Sequence, residues 1–128
     1  MGRLRNETLD RIDRFSDRML DVAETIERQR RFNRVIDQVV GCGTSVGANL
    51  YEADQAISAK DFMKTLGVVV KELNECKFWL RTIGRRGWIK PKRLEDLLAE
   101  IDGLLRVFNS MIVRTRKSVP NVKSRKRS

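Results

Sequence analysis

Asn49 and Glu52 stand one helical turn apart on a common face, and Glu72 and Glu75 repeat that interval further along the chain. Carboxylates so spaced can work as an acid and base or clasp a divalent cation, and an amide beside a carboxylate can fix the register of packed helices. Di-metal bundles, however, pair their glutamates with Glu-x-x-His motifs, and this chain has no histidine. The residue most often used as a general base and as a metal ligand is therefore missing. The two cysteines, Cys42 and Cys76, have no zinc spacing. Both fall on apolar stripes, where a thiol behaves as a small core side chain, and both are expected reduced and unbridged. Gly41-Cys42-Gly43 offers a superficial Gly-x-Gly, but it follows a helical stripe and not a strand, so no phosphate loop is expected. The residue inventory predicts no catalysis, no metal and no cofactor. Asn49 and Glu52 are expected to cross-link helices or subunits.

The remaining chemistry is electrostatic. Formal charge is +10, and residues 114–128 hold seven basic side chains with no acidic one, while the rest of the chain carries 20 basic against 17 acidic groups. Arg114, Arg116, Lys117, Lys123, Arg125, Lys126 and Arg127 of this stretch are candidate phosphate contacts. A second set is Arg85, Arg86, Lys90, Lys92 and Arg93. No aromatic side chain interleaves the terminal set, so binding of RNA or DNA there is expected to be electrostatic and poor in sequence preference. A helix-turn-helix reader is disfavoured, because the helices look too long and no short recognition helix is readable.

Four helices must position these groups. Leu9, Ile12, Met19, Ala23 and Ile26 keep a three-four spacing, broken at Ser16, over about residues 7–29. A second stripe, Phe32, Val35, Val39, Cys42, Val46, Leu50 and Ala53, crosses Gly41, Gly43 and Gly47, and three glycines in a helix imply a packing reason. Ser58 and Asp61 have the capping-box spacing that starts a third helix, whose seam is Phe62, Leu66, Val69, Leu73, Cys76, Leu80 and Ile83. Gly84 is expected as its left-handed cap, with Arg85 to Lys90 as a loop anchored by Trp88 and Ile89. Pro91 opens a fourth helix with Leu94, Leu97, Ile101, Leu104, Phe108 and Met111, running to about Lys117. Short connections predict an all-α, antiparallel up-down-up-down four-helix bundle over residues 1–117, followed by a basic tail at 118–128. Phe78, Trp79 and the Val68-Val69-Val70 run make the third helix apolar beyond one seam, which suggests contact outside the bundle's own core. The chain opens Met1-Gly2-Arg3-Leu4-Arg5-Asn6 with no apolar run behind it, so neither a leader nor a membrane span is read and a cytoplasmic protein is expected.

The run Ser45-Val46 … Asn49-Leu50 … Glu52, then Ser58, Lys60, Asp61 and Phe62, then Leu73-Asn74-Glu75, resembles the ribosomal-RNA intervening-sequence protein family, also called the four-helix-bundle protein family. The likeness spans roughly residues 10–115 in order and spacing. Ala53 stands where that family has Gly, and the helix is expected to continue past it. The resemblance implies a small bacterial bundle, assembled as a ring-like homo-oligomer, a pentamer, with nucleic-acid binding and no catalysis. Asn49, Glu52, Glu75 and Trp79 are the expected structural polar or interface positions. Related bundle proteins serve as accessory subunits of reverse transcriptases in diversity-generating retroelements, so the alternative reading is an adaptor that docks on a nucleic-acid enzyme through Trp79, Phe78 or Trp88.

Overall fold

The computed structural model describes residues 2–119, so Lys123, Arg125, Lys126 and Arg127 of the expected tail lie outside the described residues. The described chain forms four α-helices, α1 (Asn6–Arg28), α2 (Asn33–Asp54), α3 (Ala59–Arg85) and α4 (Pro91–Ser118). No strand occurs among the described residues. α4 continues through Ser118, one residue past the expected boundary. α2 continues past Ala53 by one residue, to Asp54.

Local chemistry sets the ends. Ser58 Oγ accepts the Asp61 N–H at 3.0 Å, while the Asp61 carboxylate accepts the Ile57 N–H at 3.3 Å, one residue earlier than the reciprocal cap requires. Pro91 opens α4 at a position whose N–H would find no helical partner. The cap of α3 is not Gly84, which lies buried within the last turn beside Leu94, where a Cβ would make ordinary contact at 3.4 Å. The left-handed residue is Gly87, at φ 73°. Around it Trp88 N–H donates to Ile83 O at 3.1 Å and Gly87 N–H to Gly84 O at 3.0 Å, the paired bonds of a Schellman closure. α1 closes in the same way: Arg31 N–H reaches Ile26 O at 3.3 Å and Arg30 N–H reaches Glu27 O at 2.9 Å. Here the left-handed residue is Arg30, at φ 56°. A side chain in that conformation costs roughly 1–2 kcal/mol that glycine avoids.

All seven seam residues predicted for α3 are buried, and so are Leu94, Leu97, Ile101, Leu104 and Phe108 of α4. Each fully buried large apolar side chain contributes about 1.5–3 kcal/mol. α1 buries Ile12, Met19, Ala23 and Ile26 of its predicted stripe, leaves Leu9 half-buried, and buries Phe15 and Val22 as well. Phe32 departs from expectation: it precedes α2 as its N-cap and stays 68% exposed. Two of the three α2 glycines have the packing reason anticipated. A Cβ on Gly43 would fall 2.5 Å from Met19 Cβ, and one on Gly47 would fall 3.0 Å from Ser16 Oγ, whereas Gly41 faces open space.

The helices in contact are α1 with α2, α2 with α3, α3 with α4 and, most sparsely, α1 with α4. Ser16 Oγ donates to Gly43 O at 2.8 Å and the Tyr51 hydroxyl donates to Asp13 at 3.0 Å, tying α1 to α2. Lys77 Nζ meets Asp102 Oδ1 at 2.9 Å between α3 and α4. Across the sparse seam Arg11 grips Glu100 with two bonds of 2.8 and 2.9 Å, its guanidinium lying over Gly103. None of the four helices is long and apolar enough to cross a membrane.

Candidate nucleic-acid interface

The predicted loop cations Arg85, Arg86, Lys90, Lys92 and Arg93 are all exposed around the α3–α4 turn. That turn is not alone at its end of the molecule. Gln29 Nε2 donates to Trp88 O at 2.7 Å, the Phe32 ring lies 6.1 Å from Trp88, and the Arg31 guanidinium lies 5.5 Å over the same indole. These contacts bring the α1–α2 turn, with exposed Arg28, Arg30, Arg31 and Arg34, beside the α3–α4 turn. Neither residues 28–34 nor residues 85–93 include an acidic side chain. Both helices that begin here also begin without an acidic residue in the first turn, against the preference of the helix dipole. Sequence reasoning missed the first of the two clusters. Its signal was the run Arg28-Gln29-Arg30-Arg31-Phe32-Asn33-Arg34, which becomes meaningful once the two turns are known to touch. Next to the indole, Phe32 borders a shallow groove of about 500 Å³ that Glu27, Arg30, Arg31, Asn33 and Ile36 also line, so one carboxylate stands among the cations there.

The tail root lies elsewhere. Arg114, Arg116 and Lys117 are exposed on the last turns of α4, and from Lys92 to Arg114 the helix rises roughly 33 Å at 1.5 Å per residue. The loop and the tail therefore do not form one patch. At this second end the N-terminal residues strap the α2–α3 turn: Arg3 N–H donates to Asp54 O at 2.9 Å, Leu4 N–H to Asp54 Oδ1 at 2.7 Å, and Arg3 Nε to Ala56 O at 2.9 Å. The Arg3 guanidinium also lies 5.5 Å from the Phe62 ring. Arg3, Arg5 and Arg114 rim a groove of about 470 Å³ floored by Phe62, Val107 and Met111.

The expected structural polar positions divide. Asn49 Nδ2 donates to Ser45 O of its own helix at 2.9 Å, and Glu52 and Glu75 are exposed, so Asn49 and Glu52 do not link helices within this chain. Trp79 is half-buried and stands edge-on to Phe78 at 5.0 Å. Phe78 is 56% exposed and Val68 37%, whereas Trp88 at 9% belongs to the core and offers no docking surface. Burial, followed by the charge of Glu75, pushes the Glu72 carboxyl up. Among the described residues no three potential metal ligands gather. Cys42 and Cys76 are free thiols and both are buried. A hydrogen bond with Cys42, reinforced by burial, pushes the Cys76 thiol far up, so it stays protonated and inert at neutral pH.

A family model described as 23S rRNA-intervening sequence protein matches residues 6–110. Among solved structures, the chain resembles a crystal structure of a protein of unknown function from the S23 ribosomal protein family of Bacteroides thetaiotaomicron. Sequence identity is 30%, the TM-score is 0.77, and the match covers 81% of this chain and 96% of that one. Comparison with curated proteins finds no match.

Proposed function

The chain belongs to the 23S rRNA-intervening sequence protein family, and from that premise we propose that it is a non-catalytic, homo-oligomeric helical bundle that binds RNA or DNA phosphates through its cationic ends. One observation carries the reading: two turns far apart in sequence meet through Gln29, Phe32 and Trp88, and join their acid-free clusters into a single cationic surface. Such a surface attracts a polyanion by counterion release, which needs no base-specific contact. The opposite end adds Arg3, Arg5, Arg114, Arg116 and Lys117, so phosphates meet cations at either end. The pairing of Asp13 with Tyr51, of Arg11 with Glu100 and of Lys77 with Asp102 supports an up-down-up-down course of the four helices. A cytoplasmic setting accords with two free thiols.

We read the assembly as a pentamer. Exposed Phe78 and Val68 on α3, with Asn49 and Glu52 unengaged by other helices, supply apolar and polar material for contacts between copies. In such a ring each cationic surface is repeated, and many weak contacts act at high effective concentration.

The test is a binding titration of the full chain against a 20-nucleotide single strand and a 20-base-pair duplex at several salt concentrations, with mass measured by light scattering. Affinity should fall linearly in log-log form, by about 0.9 per duplex phosphate contacted. Deleting residues 119–128 leaves α4 whole and should reduce the slope without abolishing binding. No binding of either probe at 50 mM salt overturns the reading, and a monomeric mass overturns the assembly.

A second reading makes the bundle an adaptor for a nucleic-acid enzyme such as a retroelement reverse transcriptase. Exposed Phe78 favours it, because an aromatic ring in solvent is a typical anchor for a protein partner. Loss of a protein partner on Phe78→Ala with nucleic-acid affinity intact would decide for it.

A further inference from the structure

We propose that the end of the bundle formed by the α1–α2 and α3–α4 turns is a platform for single-stranded nucleic acid, with an unpaired base stacking on Phe32. The inference rests on the nucleic-acid reading above and adds which strand form is preferred and which side chain selects it.

Phe32 is the most exposed aromatic side chain among the described residues, at 68%, and it stands among exposed Arg28, Arg30, Arg31 and Arg34. Its ring is tilted at 57° to Trp88 and 6.1 Å from it, while most of its surface stays open to solvent. Arg31 covers the indole at 5.5 Å, which adds a guanidinium beside the open ring. An aromatic face flanked by cations is the arrangement that holds single strands, because every base can stack and every phosphate finds a charge. A duplex keeps its bases stacked on each other and cannot use the ring.

Two features of the backbone sharpen the case. Arg30 holds a left-handed conformation, at φ 56°, in a turn closed just as Gly87 closes its neighbour. Glycine would make the turn at lower cost, whereas arginine there places a positive charge at the rim of the groove beside Phe32. Phe32 itself is the N-cap of α2 and provides no side-chain cap, which leaves the first N–H groups of that helix without a capping side chain at the edge of the groove. Phe32 lies outside the buried core, and charge complementarity at this end favours a polyanion over a second cationic copy of the chain.

The experiment uses the full chain with a fluorescein-labelled 20-nucleotide oligo(U) and a 20-base-pair duplex, titrated from 50 to 200 mM salt. Phe32→Ala should weaken oligo(U) binding by about 5- to 100-fold with its salt slope unchanged, should leave duplex binding nearly untouched, and Phe32→Trp should restore the parent affinity. Arg31→Ala should lower the single-strand slope by about 0.7. Far-ultraviolet circular dichroism and the melting temperature report that each variant keeps the fold. Equal oligo(U) affinity for parent and Phe32→Ala overturns the platform while leaving the wider reading standing. A change in oligomer mass on Phe32→Ala, with affinity unchanged, assigns the ring to a contact between copies and overturns it too. Failure of the parent to bind either probe sinks both.

Discussion

Single side chains in this bundle separate cleanly by what surrounds them, and the glycines of α2 make the point. Gly41 and Gly43 are two residues apart, yet a methyl group at Gly41 enters open space and one at Gly43 collides with Met19. Gly41→Ala should therefore stabilise the protein by about 0.5–1 kcal/mol through helix propensity, while Gly43→Ala should destabilise it by about 1–3 kcal/mol. Paired urea titrations check both signs. Glu72 offers a pH-dependent contrast. Burial and Glu75 raise its carboxyl in the folded state, so the native protein holds that proton more tightly than the unfolded chain and loses stability as pH rises through the raised value. Glu72→Gln should raise the melting temperature at pH 7 and change nothing at pH 3; equal gains at both would show that charge is not the cause. Neither effect follows from residue type alone. Three glycines in one helix announced close packing, but which of them touches α1 depends on a rotation that three-four spacing leaves open.

At the scale of elements, α3 was readable almost to the residue, because its seven seam positions alternate without a break and its start carries a side-chain cap. α1 was less so: Phe15 and Val22 widen the buried face past a narrow seam. The misplacement of Phe32 has a physical origin in Arg30, since a left-handed arginine ends α1 where no glycine marks the turn. Likewise the closure at Gly87 was masked by Gly84, three residues earlier, which lies buried in the last turn of α3 and does not take the left-handed conformation. Arg30→Gly should relieve the first turn and raise stability by about 1 kcal/mol in chemical denaturation. The sparse α1–α4 seam gives a second test. A two-pronged bond from Arg11 holds the Glu100 carboxyl below the usual carboxylate range, so this pair stabilises the fold above the unfolded value and loses its contribution as pH falls through the depressed one. Glu100→Gln should cost about 0.5–1 kcal/mol at pH 7, with the deficit shrinking at pH 3.

For the molecule as a whole, composition revealed an excess of positive charge and the terminal run revealed part of its location. The meeting of two turns separated by more than fifty residues was invisible, because it depends on how the helices return past one another. Charge at both ends of a rod makes a cross-linker. A particle that grips one polyanion at each pole tethers two, and a growing mesh of tethered strands scatters light before it settles. Titrating the protein into long duplex at low salt should produce turbidity that peaks near charge equivalence and clears again when protein saturates every strand. A solution that stays clear at every ratio, although the strands are bound, would mean that only one pole is gripping.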